Sequence, residues 1–228
     1  MATGTALSQP SAMHALMDAL GVDLARLDRR TRAAIEALAE EVFALRDEAD
    51  SLRTNLADAA LLADHDALCP VFNRRAFERE LKREIALASR FQTPLTLIFI
   101  DLDNFKRVND LYGHLAGDSV LLKVADILLT RTRETDIVGR LGGDEFGILL
   151  AHAALEDTRR KAAQLSSAID SLEVRSGEPD DPGPVRIGAS CGAVEWQPGQ
   201  SPGALISRAD QAMFAEKARR KSDGRAVR

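Results

Sequence analysis

Four carboxylates in this chain are spaced for metal chemistry. Asp101 and Asp103 stand where an apolar run, Leu95 to Ile100 (LTLIFI), opens into polar sequence, and Asp144 and Glu145 follow Gly142 and Gly143 between two further apolar runs. If the second pair lies on the tip of a hairpin beside the first strand, carboxylates from two neighbouring strand ends form a hard oxygen site. Such a site suits Mg²⁺, which takes one or two carboxylates and completes its shell with substrate phosphates. Bound there, the ion polarises a phosphate under attack, lowers the pKa of an attacking hydroxyl and aligns the two, as nucleotidyl transfer requires. A lone Asp usually just decorates a solvated turn, but four carboxylates at two adjacent strand ends are poorly explained that way. Gly142 and Gly143 have backbone reasons to be glycine: a tight turn that needs positive φ, and close approach of a nucleotide that a side chain would block.

The elements that must position these residues follow from periodicity and turn chemistry. Phe72 to Phe91 predicts a helix with Phe77, Leu81, Ile85 and Ala88 on one face, and the run after Pro94 predicts a strand buried on both sides. A short helix through Asn104 to Leu111, a turn at Tyr112-Gly113-His114 and a helix from Gly117 to Thr132 come next. Ile137 to Leu141 and Phe146 to Leu150 predict a hairpin whose connection is Gly142 to Glu145. A helix from Leu155 to Leu172, an acidic loop at Ser176 to Pro184, a strand at Val185 to Trp196 and a helix from Pro202 to Lys221 complete the order. Alternation that includes both a hairpin and crossovers implies an α/β (α+β) fold, a mixed sheet flanked by helices of the ferredoxin-like or palm type.

Ahead of this lies a different pattern. Ile35, Leu38, Val42, Leu45, Ala49, Leu52, Leu56 and Ala59 alternate spacings of three and four with charged residues between them, a heptad seam. Over about 25 residues it makes a rod of nearly 40 Å, whose narrow stripe is better buried by a second helix than by a globular core. The expectation is a coiled-coil stalk that pairs two copies. The alternatives are an amphipathic helix folded onto its own domain and an intramolecular hairpin with a weaker helix at His14 to Leu27. The resulting division is a tail at 1–13, a helical stalk at 14–63, a catalytic domain at 64–225 and a tail at 226–228.

Composition excludes several classes. A net charge of −5 lacks the basic footprint of a nucleic-acid polymer binder, so a phosphate-bearing partner must be small and locally held. No apolar run approaches the roughly 20 residues that span a bilayer, and Met1 to Met13 lacks the regions of a signal peptide, so a cytoplasmic protein is expected. Cys69 and Cys191 are far apart and predict two reduced thiols.

The string Gly142-Gly143-Asp144-Glu145-Phe146 resembles the signature of the GGDEF family of diguanylate cyclases. The resemblance continues in Asn73-Arg74-Arg75-Ala76-Phe77 (NRRxF), Asp101 to Asp110 (DxDxFKxxND), Tyr112 to Asp118 (FGHxxGD) and Ala209 to Phe214 (ADxALY). It implies condensation of two GTP into cyclic diguanylate with release of two pyrophosphates. Asp101, Asp144 and the Leu102 carbonyl would hold Mg²⁺, with Mn²⁺ as a substitute; Asp144 is the candidate base and Glu145 its support. Asn109 and Asp118 match the guanine-reading pair, which fits their chemistry, since a carboxylate accepts the N1 and N2 protons and an amide serves either side. His114 matches a substrate position. Lys106, Lys217 and Lys221 are candidates for neutralising phosphate. Arg133 and Asp136 form an RxxD five residues before Gly142, the spacing of the family's inhibitory product site, where an Arg fork and an Asp bind phosphate and guanine.

Two departures stand out. Asp66-Ala67-Leu68-Cys69-Pro70 replaces DxLTG, which points to changed hinge geometry, and Lys217-Ala218-Arg219-Arg220-Lys221 replaces KxxGR, which leaves the triphosphate contacts open. Ser190-Cys191-Gly192 falls where the family has SxG, with Cys191 expected in the core. The rival readings are a catalytically silent module that binds cyclic diguanylate or GTP as an effector, and a scaffold whose stalk recruits a protein partner.

Overall fold

The apolar run at 95–100 lies inside a five-stranded sheet, with a strand paired on either side of it. The computed structural model describes residues 21, 26–174 and 185–222, and the chain divides into two units, Met1–Ala60 and Leu61–Arg228. The expected helix at His14 to Leu27 falls almost wholly outside the described residues, as do the acidic loop and both tails.

In the first unit the described chain is helical. Helix α1 (Arg29–Asp64) starts at Asp28, whose carboxylate accepts the amides of Arg30 at 2.9 Å and Thr31 at 3.0 Å, satisfying two donors of the first turn. Along α1 the seam residues Leu38, Val42, Leu45, Leu52 and Leu56 are exposed, Leu56 to 71% and Leu38 to 65%. Ile35 and Ala49 are half-buried. The stripe read from the sequence is therefore an apolar face that this single chain leaves in water.

The first strand of the second unit is β1 (Phe72–Asn73), followed by α2 (Arg74–Phe91), β2 (Leu95–Asp103), α3 (Phe105–Tyr112), α4 (His114–Thr130), β3 (Ile137–Arg140) and β4 (Glu145–Ala151). Then come α5 (Leu155–Asp170), the short pair β5 (Glu173–Val174) and β6 (Val185–Arg186), β7 (Gly188–Glu195) and α6 (Pro202–Ser222). The sheet order is β1-β3-β4-β2-β7, antiparallel except for the β1–β3 pair. It is the expected mixed sheet flanked by helices.

Because alternate residues of a strand face opposite ways, β2 feeds two cores. Ile98, Ile100 and Leu102 pack with Val120, Leu121, Val124 and Leu128 of α4 and with Leu165 and Ile169 of α5. Leu95, Leu97 and Phe99 pack on the other side with Phe77 and Leu81 of α2 and with Leu205, Ala209 and Met213 of α6. At Gly192 on β7 the helix comes so near the sheet that a Cβ would run into the backbone nitrogen of Met213 and the carbonyl of Ala209.

Several boundaries differ from expectation. Phe72 and Asn73 are a strand, because Asn73 caps the helix instead of joining it: its side chain accepts the Ala76 amide at 2.9 Å. The strand through Leu95 continues to Asp103, paired with β7 throughout, so Asp101 and Asp103 lie within it. Only Gly113, at φ 80°, separates α3 from α4, which begins at His114. The last strand is divided at Ile187, and Trp196 lies beyond its end.

Candidate active site

Asp101 lies on β2 directly across the ladder from Glu145, the first residue of β4, so the two side chains share a face of the sheet. The next residue, Leu102, sits past that last pair; its amide donates to the Asp144 carbonyl at 3.2 Å, which fastens the tip of the hairpin to the strand. A strand residue points its amide and carbonyl to the same side, so the Leu102 carbonyl also faces Asp144. The two motifs read from the sequence therefore meet.

The carboxylates crowd one another. Burial, then the charge of Asp101, pushes the Asp144 carboxyl above the ordinary aspartate range. Burial pushes Glu145 up as well, with Asp101, Asp144 and Asp210 adding to it and Arg74 opposing. The cation set among them is Lys217 on α6, whose ammonium ion-pairs with Asp101. Burial works against the Lys217 charge, but Asp101, Asp103 and Asp144 outweigh it and hold this ammonium above the usual lysine range. No group of three His, Cys, Asp or Glu among the described residues forms a closed metal cage. The arrangement suits a divalent cation instead, because an open pair of mutually repelling carboxylates gains most from one that brings its remaining oxygens with the substrate.

The reason for Gly142 differs from the expected one. Neither Gly142 nor Gly143 has positive φ. At Gly142 a Cβ would collide with the Glu145 carboxylate, whereas Gly143 is exposed with nothing within 4 Å of a Cβ. The first glycine makes room for an acidic side chain, and the second leaves the backbone open to a ligand. The hairpin is also held from outside: Arg140 donates to the Gly143 carbonyl at 2.7 Å and to Asp66 at 3.0 Å. Asp66 in turn accepts the amides of Leu68 at 3.1 Å and Cys69 at 2.9 Å, so the segment leading into β1 is hydrogen-bonded to the hairpin turn despite Pro70.

Asn109 and Asp118, the expected guanine-reading residues, stand on α3 and α4 on either side of Gly113. The Asn109 amide of α3 occupies the space where a Cβ at Gly117 would be, next to Asp118 on α4. Asp118 also belongs to the surroundings of Cys69, whose thiol burial pushes up to about 11, with Asp66 and Asp118 adding and Arg140 opposing. Cys191 is pushed up by burial to about 12, and both cysteines are free thiols, as expected. His114 and Lys106 are exposed at the starts of α4 and α3. Between β2 and α3, Asn104 adopts the left-handed region at φ 65°, which turns the chain directly from strand to helix. The first amides of α3 are thereby left near the carboxylates, an arrangement suited to phosphate oxygens.

Lys221 is exposed near the end of α6, and Lys217 makes the contact with Asp101. Asp103, grouped with the metal carboxylates on the sequence, is 6% exposed and is taken up by Ser190, whose hydroxyl donates to it at 3.0 Å, and by Arg220 at 3.3 Å. Arg220 is a residue the sequence reading missed; its signal was the spacing of three from Lys217, which puts both on one helix face. Arg133 and Asp136 lie together ahead of β3, where Asp136 accepts the Arg133 amide at 2.8 Å. They line a cavity of about 160 Å³ with His152, Asp157 and Lys161.

Comparison with known proteins agrees with this geometry. Residues 63–223 match the family described as diguanylate cyclase, GGDEF domain. The diguanylate cyclase DgcP of Pseudomonas aeruginosa is 33% identical over 211 residues, 92% of this chain and 31% of that protein. The chain spans about a third of the length of the curated relatives it matches first. Among solved structures, the coiled coil and GGDEF domain of DgcB from Caulobacter crescentus, in complex with c-di-GMP, has a TM-score of 0.74 at 29% identity, covering 80% of this chain and 95% of that one. Diguanylate cyclase SiaD of Pseudomonas aeruginosa, in complex with its activator SiaC, has a TM-score of 0.63 at 27% identity, covering 95% and 89%. With the signature, the paired carboxylates and the sheet all in agreement, the chain belongs to the GGDEF-domain diguanylate cyclase family.

Proposed function

We propose that this chain condenses two GTP molecules into cyclic diguanylate and releases two pyrophosphates. The observation that carries the reading is the meeting of Asp101 with Asp144 and Glu145 at adjoining strand ends, offset by Lys217. Asp101, Asp144 and the Leu102 carbonyl would hold Mg²⁺, with Mn²⁺ as a substitute; when bound, the ion polarises the α-phosphate and acidifies the attacking hydroxyl. Lys217 exchanges its carboxylate partner for a phosphate oxygen, with Lys106 and the amides of α3 completing the cradle. Asn109 and Asp118 read the guanine edge, with His114 beside them, and Asp144 accepts the proton of the attacking 3′-hydroxyl. GTP as substrate puts the reaction on the cytoplasmic side of any membrane.

One domain holds one GTP, and the 3′-hydroxyl on one must reach the α-phosphate on the other, so two domains must face each other. The exposed stripe of α1 supplies a means. Burying a leucine contributes about 1.5–3 kcal/mol, so four leucines on each of two helices offset the roughly 4–15 kcal/mol cost of association. Pairing through the stalk then makes the encounter of the two sites intramolecular. Leu45→Glu with Leu52→Glu is expected to turn a dimer into a monomer in analytical ultracentrifugation and to cut cyclisation at micromolar protein by at least tenfold; an unchanged dimer would refute the stalk's role. SiaD is seen with an activator protein, and a protein partner at the stalk is the corresponding proposal here.

Product would bind at Arg133 and Asp136 and hold the domains apart. Arg133→Ala is expected to leave the initial rate within about twofold and to raise the product concentration needed for half-inhibition by at least tenfold, since it removes a bidentate charged contact. Inhibition by added cyclic diguanylate that survives this change would remove the assignment. The reading as a whole is tested by incubating the purified chain with GTP and Mg²⁺ and separating the products. No product, with cyclic diguanylate still bound tightly, would replace it with the effector reading.

A further inference from the structure

Resting on the cyclase reading, the geometry points to Arg220 as a positioning residue of the triphosphate site, which keeps Lys217 on Asp101 by satisfying Asp103. Arg220 is buried, 7% exposed, in the interior of α6 near its end. Its guanidinium donates to Asp170 at 2.7 Å and to Ser166 at 2.8 Å, both on α5, and its Nε lies 3.3 Å from Asp103 on β2. One turn earlier, the Lys217 ammonium sits between two aspartates of the same strand. It pairs directly with Asp101 and lies 4.0 Å from Asp103.

Two buried or half-buried carboxylates thus stand within reach of one lysine, and only the choice of Asp101 leaves that lysine at the proposed metal and phosphate site. Asp103 is the more deeply buried of the two, its side chain 8% exposed against 16% for Asp101, so it has the stronger need of a counter-charge. Ser190 gives it a neutral hydrogen bond but no charge. Arg220 supplies the charge at Oδ2, whereas Lys217 lies nearest Oδ1, and its anchors on α5 keep it there. Without Arg220, Asp103 draws Lys217 across and the substrate loses its cation. Arg220 stands where the KxxGR pattern has glycine, which has no side chain for this task, so the role belongs to this chain's own residues.

The test is Arg220→Met, which keeps the aliphatic volume and removes the charge, together with Asp103→Asn in both backgrounds. Asn at 103 still accepts from Ser190 but no longer competes for Lys217. Two readouts are taken on the full chain: the KM for GTP with Mg²⁺, and calorimetric binding of the α,β-methylene analogue of GTP with Mg²⁺, which cannot react at the scissile bond. Arg220→Met is expected to raise KM and weaken analogue binding by about tenfold with kcat within about threefold. Adding Asp103→Asn is expected to bring both back to within about threefold of the wild type. Should Arg220→Met not fold, Arg220→Gln retains hydrogen bonding to Ser166 and Asp170, drops the charge and carries the same expectation.

Unchanged analogue binding in a folded Arg220 variant overturns the inference. So does a double variant weaker than the single one, the result expected if Arg220 were only structural. Wild-type protein that binds the analogue but makes no product overturns the cyclase reading alone, and the tenfold loss with its rescue still decides the role of Arg220.

Discussion

Asp144→Ala is expected to lower cyclic diguanylate formation from GTP and Mg²⁺ by about a thousandfold or more, because it removes the proposed metal-binding carboxylate and the candidate base together. The fold should not suffer. Asp144 titrates above the ordinary aspartate range because of burial first and Asp101 second, so its ionised form is disfavoured in the folded protein. A carboxyl with a raised folded-state pKa contributes stability only while protonated, and that contribution is lost as pH rises through the folded value. In chelator near pH 8, the variant's melting temperature should therefore equal or exceed that of the wild type, and the difference should shrink as pH falls toward about 4, the ordinary carboxylate range. Product made at more than a tenth of the wild-type rate by a folded Asp144→Ala protein would show that the hairpin carboxylate is not at the reacting centre.

Gly192→Ala is expected to destabilise the domain by about 3 kcal/mol, at the upper end of what an added methyl costs in a packed core, and to lower the melting temperature by about 6–12 °C. The cost is high because the new Cβ meets helix backbone at Met213 and Ala209, which cannot rotate away as a side-chain tip would. Relief requires α6 to lift from β7. Since α6 carries Lys217 and Arg220, the KM for GTP should rise with the loss of stability. A variant that melts within 2 °C of the wild type would mean that α6 does not rest on the strand at this point. Both quantities are accessible from one purified protein by thermal denaturation and steady-state kinetics.

The two variants probe different levels of legibility. Asp144 was legible as chemistry because its type, its glycines and its distance along the chain from a buried strand all lie within short windows. Gly192 was legible only as part of a short pattern, Ser190-Cys191-Gly192, and its physical reason is a helix that begins ten residues later. Gly142 shows an intermediate case. The residue was singled out on backbone grounds, yet its φ is ordinary, and what it accommodates is the side chain of Glu145, three positions away but folded back over the turn.

What the sequence by itself determined were the properties set by neighbours in the chain. A run from Leu95 to Ile100 that is apolar but for Thr96 announced a strand covered on both faces, the alternation of three and four from Ile35 announced the stripe of α1, and paired glycines between apolar runs announced the hairpin. These patterns are local, because side-chain direction repeats every 2 or about 3.6 residues and turn types depend on one or two residues. Tertiary structure alone decided which groups face each other across long separations. Ser190 reaches Asp103 across 87 residues and Lys217 reaches Asp101 across 116. The parallel pairing of β1 with β3, the removal of Asp103 from the metal carboxylates and the burial of Arg220 belong to the same class. Each depends on how two cores pack on opposite faces of one strand, and no periodicity within a single element encodes that.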